Sequence, residues 1–462
     1  MADPRGRRRR PGGRPPRRAV VDPARRAAYD VLRMVRVDDA YTNLALPHVL
    51  AERGLSGRDA AFVTELVSGT LRRRGTYDAI LGACLDRPLT KVEAKVLDAL
   101  RLGTHQLLGM RVPAHAAIST TVDLVRDRAG HGPAGFANAV LRRVSEAELD
   151  DWVRRVAPDP VDDPIGFAVV AHSHPRWVVE QLGAALDSRD ELAALLAADN
   201  EAPRVTLVAR PGRSVAEELP GEPGRWSPYA VTMEGGQPGE VDAVREGRAG
   251  VQDEGSQLVA IAAASAEVVG RDERWLDLCA GPGGKAALLA ALAAQVGARV
   301  VANEAQPHRA ELVRRALAGA EGVEGVTVHD GRTPPWEPGS FDRVLVDAPC
   351  SGLGALRRRP EARWRKSAAG LDTLVPLQRD LLDSALTLTR PGGVVLYATC
   401  SPVLAETAGV VEAVLADRDD ATLEPVGLDV PDSGGPLPGT VQLWPHRHAT
   451  DAMFLALLRR SG

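Results

Sequence analysis

Lysine is nearly missing from this chain, with four residues against 53 arginines. Codon composition produces such a bias as readily as a demand for guanidinium chemistry does, so it assigns no function. Cysteine is scarce too. Cys84, Cys279, Cys350 and Cys400 form no Cys-x-x-Cys pair, and no histidines stand at zinc-ligand spacing, which argues against a disulfide framework and a metal site. No apolar run approaches the roughly 18 residues a membrane span needs. The N-terminal arginine run continues into Pro11-Gly12-Gly13 rather than an apolar segment, so a secretory signal is not expected. These absences predict a soluble, cytoplasmic protein with neither membrane nor metal as a partner; a monomer is the expected state.

What is present is enough for two or three domains: 462 residues, 44% hydrophobic and 26% charged. The net charge of −4 hides an asymmetry. Residues 1–18 hold eight arginines against one aspartate, net +7, and leave the rest of the chain at −11. Residues 1–22 therefore read as a disordered basic tail able to attract phosphates. From Pro23 to about residue 145 apolar residues recur at three- and four-residue spacing, in Ala24–Val37, Asp59–Leu71, Val92–Leu108 and Ala116–Arg128, with Gly/Pro breaks between. That is an all-α bundle. Residues 146–164, rich in proline and aspartate towards their end, read as a linker, and 165–250 as a small α+β subdomain. From 251 to 462, and clearly from Trp275 onward, short apolar strands alternate with helical stretches: Trp275–Cys279, Lys285–Ala294, Arg299–Asn303, His308–Ala318, Val326–His329, Arg343–Asp347, Leu377–Leu388 and Val394–Thr399. The alternation predicts an α/β, Rossmann-like parallel sheet flanked by helices.

Asp277-Leu278-Cys279-Ala280-Gly281-Pro282-Gly283-Gly284-Lys285 follows the first of these strands and opens the first helix, where glycines let backbone approach a ligand. Glu304, about twenty residues on, ends the second strand where a nucleoside-binding fold holds ribose hydroxyls. Asp330, placed at the end of the third strand, is suited to the exocyclic amine of adenine. Ala286 after Lys285 removes the hydroxyl a P-loop needs for Mg²⁺, although spacing alone leaves dinucleotide binding open. The fourth strand runs into Asp347-Ala348-Pro349-Cys350-Ser351-Gly352 and the fifth into Thr399-Cys400-Ser401-Pro402. Adjacent parallel strands would bring both thiols to one sheet edge. Free cysteine also packs as a small hydrophobe, so either alone is weak evidence. The pair suits a pyrimidine: thiolate addition at C6 of cytosine makes C5 nucleophilic towards a sulfonium methyl, after which the C5 proton and the thiol leave. Asp347 would hydrogen-bond the base edge, and the second thiol would assist proton removal or release. The target base must leave its stack.

These motifs resemble the RsmB/Sun type of bacterial small-subunit rRNA cytosine-5 methyltransferase, in the broader NSUN-like group. The likeness also rests on Gln252-Asp253-Glu254-Gly255-Ser256-Gln257, Arg359-Pro360-Glu361-Ala362-Arg363-Trp364 and Leu443-Trp444-Pro445-His446-Arg447-His448, and covers nearly the whole chain. The resemblance implies S-adenosylmethionine as cofactor, held by Cys279, Ala280, Gly281, Pro282, Gly283, Gly284, Lys285, Glu304, Asp330 and Asp347. It implies Cys400 as the nucleophile and Cys350 as the group that promotes release of methylated RNA. DNA cytosine-5 methyltransferases attack instead with the Pro-Cys thiol, here Cys350; the Thr-Cys motif favours RNA. Gly281 and Gly255 stand where the family commonly has alanine, changes small enough for activity to survive. The helical domain resembles the NusB-like RNA-binding fold through Ala40–Leu44, Arg58–Val63, Gly69–Arg74 and Phe136–Arg143. Arg72–Arg74 and Arg142–Arg143 are further candidates for phosphate contact. Arg357, Arg358, Arg359, Arg363, Trp364, Arg365 and Lys366 follow the catalytic loop and interleave an aromatic with charge, as an RNA contact would. Small-subunit rRNA, free or in an assembly intermediate, is the expected partner. Two other readings use the same residues: a tRNA cytosine-5 methyltransferase, and a non-catalytic NusB-like RNA-binding or assembly factor. Two thiols and an acid kept at strand ends weigh against the second.

Overall fold

A computed structural model describes residues 21–461; the basic tail before Val21 lies outside them. The first domain is a bundle of helices α1 (Pro23–Val37), α2 (Thr42–Glu52), α3 (Gly57–Arg72), α4 (Arg74–Ala83), α5 (Ala94–Leu108), α6 (Ala114–Ala129) and α7 (His131–Val144). Helix α1 shows why the segment folds this way. Asp22 caps it by accepting from the Arg25 amide at 2.8 Å, Pro23 opens the first turn, and Ala24, Ala27, Ala28, Val31, Leu32 and Val35 form one buried stripe. Helix α8 (Leu149–Val156) falls within the predicted linker. Trp152 is the reason: it is buried in the bundle core and its indole N–H donates to the Val144 carbonyl at 2.9 Å, an apolar anchor hidden among charged neighbours.

Helices α9 (Pro164–Ala171), α10 (Arg176–Ala184) and α11 (Arg189–Ala198) follow. They do not pack with the small sheet after them, as a common subdomain over 165–250 would require. Val178, Val179, Leu182, Leu195 and Leu196 share one core with Leu353, Leu356, Val403 and Trp444, forming a floor beneath the loops that carry Cys350 and Cys400. The small sheet has antiparallel order β2 (Glu222–Pro223), β3 (Ala230–Thr232), β1 (Thr206–Ala209), β4 (Ala249–Val251), and the short α12 (Asp242–Arg245) precedes β4.

After α13 (Glu254–Ser265) come β5 (Arg274–Asp277), α14 (Gly284–Gln295), β6 (Arg299–Asn303), α15 (Pro307–Ala316), β7 (Val323–Thr327), β8 (Phe341–Asp347), α16 (Ala362–Arg365), α17 (Leu371–Leu388), β9 (Thr389–Thr399), α18 (Ala408–Ala416), β10 (Ala421–Glu424), β11 (Val441–Gln442), α19 (Pro445–His448) and β12 (Phe454–Arg460). The sheet order is β10-β12-β9-β8-β5-β6-β7, with β11 paired to β12. Strands β5 to β9 are parallel, and β12 enters antiparallel beside β9. Alternate residues serve opposite faces: Trp275, Leu345 and Leu396 pack under α13 and α14, while Leu276, Val344, Val346, Val395 and Tyr397 meet α17 and α18. Each such buried side chain stabilises the fold by about 1.5–3 kcal/mol. The strand order reverses direction at β5 and β8, so a crevice opens at their carboxyl ends. No described helix is long and apolar enough to cross a membrane.

Candidate active site

Glycine shapes the loop after β5. Gly283, at φ +111°, caps α14, and a Cβ there would lie 2.6 Å from that of Ala316; one on Gly281 would lie 2.1 Å from Glu304 Oε2. The loop therefore closes directly on the acid that follows β6. Glu304 is buried and accepts from the Gln306 amide at 2.9 Å. Asn303, which sequence reading passed over as the end of an apolar strand, ties three loops. Its amide donates to the Leu278 and His329 carbonyls at 3.1 and 3.0 Å, and its Oδ1 accepts from Thr327 Oγ1 at 3.0 Å. Asp330 does not end a strand, because β7 stops at Thr327. It lies exposed three residues on, held by Arg332 at 2.6 Å.

The crevice carries unpaired polar atoms. Asp277 is fully buried with Oδ2 unpartnered, and burial, reinforced by Asp347, pushes its carboxyl up to about 8. Both amide atoms of the buried Gln252, beside Gly284, also lack partners among the described residues. A ligand bringing hydroxyls, an ammonium and a carboxylate against this loop would complete them, so the residues fit a nucleoside-bearing amino acid. Among the described residues no cluster of three or more histidine, cysteine, aspartate or glutamate side chains is gathered as a metal site needs.

The loops after β8 and β9 converge. Asp347 stands in register with Ala398, and Cys350 Sγ lies 3.4 Å from Cys400 Sγ. Lys285 Nζ donates to Asp347 Oδ2 at 2.9 Å; burial opposes its charge, yet Asp347 carries its pKa above the ordinary value. The two thiols are not equivalent. The hydrogen bond from Cys350 draws the Cys400 thiol below its ordinary value, against burial and Asp347 and with Lys285 and Arg359 in support. That same bond, then burial, the charge on Cys400 and the Glu406 carboxylate, drives Cys350 well above. Glu406 is a further residue that sequence reading missed. Fully buried, it accepts from the Ser351 amide at 2.7 Å, Ser351 Oγ at 2.5 Å, Ser401 Oγ at 2.6 Å and Gln378 Nε2 at 3.1 Å. The Ser after each cysteine was the available signal: one carboxylate fastens both Cys-Ser turns.

Most of the basic segment expected to meet RNA is turned inward. Arg363 is fully buried and donates to Asn200 Oδ1 at 2.8 Å and to the Asp199, Ser173 and Arg72 carbonyls at 3.1, 3.2 and 3.4 Å; burial pushes its pKa down to about 10. Arg357 donates to the Ala449 carbonyl at 3.0 Å, and Arg358 pairs with Asp451 at 3.1 Å and with Asp253. The Trp364 indole donates to the Leu71 carbonyl at 3.2 Å, and Arg365 to the Val35 and Ala40 carbonyls. Arg72, buried, donates to the Arg357 carbonyl at 3.2 Å. Arg72, Arg363, Trp364 and Arg365 spend their donors on the junction between the two domains, and Arg357 and Arg358 on contacts within the catalytic domain, which corrects their expected role as phosphate contacts. Arg359 and Lys366 remain exposed. Asp253 and Glu254 of the upstream motif are likewise structural: Asp253 takes the Arg358 guanidinium and Glu254 accepts the Ser227 amide at 2.7 Å.

Comparison with known proteins agrees with this architecture. Residues 22–146 match the NusB family and residues 268–459 the family described as 16S rRNA methyltransferase RsmB/F. The Mycobacterium tuberculosis protein Rv1407, named as a methyltransferase without a stated substrate, is 54% identical over 97% of this chain and 99% of its own. The ribosomal RNA small subunit methyltransferase B of Xanthomonas campestris is 33% identical over 88% of this chain and 90% of its own. Among solved structures, that titled PH0851 superposes with a TM-score of 0.78 at 23% identity, covering 96% of this chain and 99% of the other, and so shares its fold. Sheet order, glycine loop, paired thiols and full-length relatives converge, and the chain belongs to the RsmB/F family of S-adenosylmethionine-dependent methyltransferases.

Proposed function

We propose that this enzyme methylates C5 of a cytosine in small-subunit rRNA through a covalent adduct between Cys400 and C6. The observation that carries the reading is the 3.4 Å thiol pair with opposed proton affinities. S-adenosylmethionine supplies an electrophilic methyl group when bound. Residues Cys279–Lys285 and Glu304 would hold it, with Asp347 at the boundary to the base and Asp330 once Arg332 gives way. The Cys400 thiolate forms the Sγ–C6 bond, and Asp347, oriented by Lys285, hydrogen-bonds the base edge as charge grows there. C5 then takes the methyl group. A solvent base takes the C5 proton, the C–H electron pair re-forms the C5–C6 double bond, and the Sγ–C6 bond breaks to regenerate the thiolate. Cys350 keeps its hydrogen towards Cys400 and serves that release. The helical domain supports an RNA substrate by its NusB likeness, and the relatives' names support small-subunit rRNA over tRNA.

The test incubates purified protein and methyl-labelled S-adenosylmethionine with unmodified small-subunit rRNA and, in parallel, tRNA, using wild type, Cys400→Ala and Cys350→Ala. Label at C5 of rRNA cytosine, lost in Cys400→Ala, with a persistent protein–RNA adduct in Cys350→Ala, is expected. An exchanged pattern would make Cys350 the nucleophile. Label only in tRNA would move the substrate, and none with cofactor bound would favour a binding factor.

A further inference from the structure

The connection between α1 and α2 belongs to the helical domain but is fastened by the catalytic one. Arg365 donates to the Val35 carbonyl at 3.1 Å and to that of Ala40, and pairs with Asp39 at 3.2 Å. The buried Glu361 carboxylate accepts the Thr42 amide at 3.1 Å. Asp39 takes a left-handed conformation, φ 51°, within this grip. Between these anchors Tyr41 stays 45% exposed. The Arg365 and Arg359 guanidinium carbons stand 5.0 and 5.9 Å from its centroid. Arg359 and Lys366 are exposed, and among the described residues neither pairs with a carboxylate.

We propose that Tyr41 of the helical domain and Arg359 of the catalytic domain form one platform that stacks and holds the single-stranded RNA nucleotide beside the target cytosine. The inference rests on the reading of this chain as an RNA methyltransferase. Distance along the chain supports it: Arg359 lies nine residues after Cys350, and two turns join them, with the Gly354 amide donating to the Cys400 carbonyl at 2.9 Å and the Arg359 amide to that of Ala355 at 3.0 Å. The Arg359 charge also helps to lower the Cys400 thiol, which puts the guanidinium within electrostatic reach of the reacting sulfur. A cytosine that leaves its stack deprives its neighbour of a stacking partner, and an exposed aromatic face flanked by cations replaces it without regard to sequence. A merely structural tyrosine would have its ring covered, and Arg359 would be neutralised as Arg365 is by Asp39. The other cations of the segment are committed, Arg363 and Arg365 to the junction and Arg357 and Arg358 to Ala449, Asp253 and Asp451, which leaves Arg359 and Lys366 to meet phosphate.

The test uses the full chain, unmodified small-subunit rRNA and methyl-labelled S-adenosylmethionine, comparing wild type, Tyr41→Ala, Tyr41→Phe, Tyr41→Trp and Arg359→Ala. Steady-state kinetics, RNA affinity, cofactor affinity and melting temperature are read for each. Tyr41→Ala is expected to raise KM for RNA roughly tenfold, as loss of one stacked base does, with kcat, cofactor affinity and melting temperature unchanged. Phe and Trp restore KM, because a π-face and not a hydroxyl is required. Arg359→Ala is expected to weaken binding and to reduce the salt slope of log affinity by about one. KM within twofold of wild type in Tyr41→Ala, or failure of Phe and Trp to restore it, overturns the platform while leaving the methyltransferase reading intact. A fall in melting temperature that tracks the loss of activity makes Tyr41 a packing residue and also overturns it. A wild-type chain that binds no RNA removes both.

Discussion

The side chain with most leverage over the chemistry is one that never meets substrate. Glu406 fastens the Cys350 and Cys400 turns with four hydrogen bonds in a buried setting, and Glu406→Gln puts an NH₂ where two of those donors point. Unsatisfied buried donors cost about 1–3 kcal/mol each. The expected outcome is a fall in kcat of tenfold or more with KM for cofactor little changed. Its carboxylate also helps to raise the Cys350 thiol, so the alkaline limb of the pH–rate profile should move to lower pH; a profile of unchanged shape would reduce Glu406 to packing. The profile itself follows from the pair. Activity should rise with pH as the lowered Cys400 thiol ionises and fall only once the raised Cys350 thiol does. Lys285→Met, which removes one of the charges lowering Cys400, should displace the rising limb upward. Asp277 predicts a stability effect of opposite sign to the usual carboxylate. Its pKa is raised from 3.8 to about 8 on folding, so the native state binds the extra proton and stability declines as pH rises through that window. Asp277→Asn should flatten the dependence of melting temperature on pH between about 4 and 8, measured without cofactor.

At the scale of elements, the parallel strands β5, β6, β8 and β9 were legible because each is buried on both faces and reads as an apolar run between turns: Arg343–Asp347 and Val394–Thr399 stand within β8 and β9, whereas the edge strand β7, Val323–Thr327, has no buried residue and begins three residues before the expected Val326. The thiols' meeting was legible from the same logic, since neighbouring parallel strands deliver their carboxyl ends side by side. The helix hidden in the predicted linker was not, because Trp152 is a single apolar anchor among charges. Nor was the inward turn of Arg363. Charge normally marks surface, and nothing local distinguishes an arginine whose partners are carbonyls far away in the chain. Those carbonyls supply the prediction. Arg363→Ala leaves the Asp199, Ser173 and Arg72 carbonyls without their donor, and each buried acceptor left unsatisfied costs about 1–3 kcal/mol. Denaturant unfolding should show that loss, and Arg363→Lys, lacking the fork, should recover little of it; full recovery by lysine would mean that charge alone matters.

For the whole molecule, the junction makes the two domains one thermodynamic body. Arg72, Arg363, Trp364 and Arg365 bridge helical and catalytic parts, and Gly75 and Thr76 bond to Ser173 and Val170 at 2.8 and 2.5 Å. Calorimetry of the full chain should give a single transition that S-adenosylmethionine shifts upward, by about 2.7 kcal/mol at a hundredfold excess over Kd. Arg363→Ala should split it into two, only one of which responds to cofactor. Two independent peaks in wild type would show that the domains unfold separately despite their bonds.

The place of β12 has a consequence in time. It lies between β9 and β10 in the sheet, yet it follows β9 by more than fifty residues in the chain. A ribosome adding about 5–20 residues per second takes several seconds to cover that distance. Through that interval β9, with Cys400 at its tip, presents an open edge of unpaired amides and carbonyls, the kind of edge that recruits foreign strands. The nascent enzyme therefore acquires its reactive thiol before the strand that closes the edge of β9, and for those seconds β12 competes with any foreign strand for that edge.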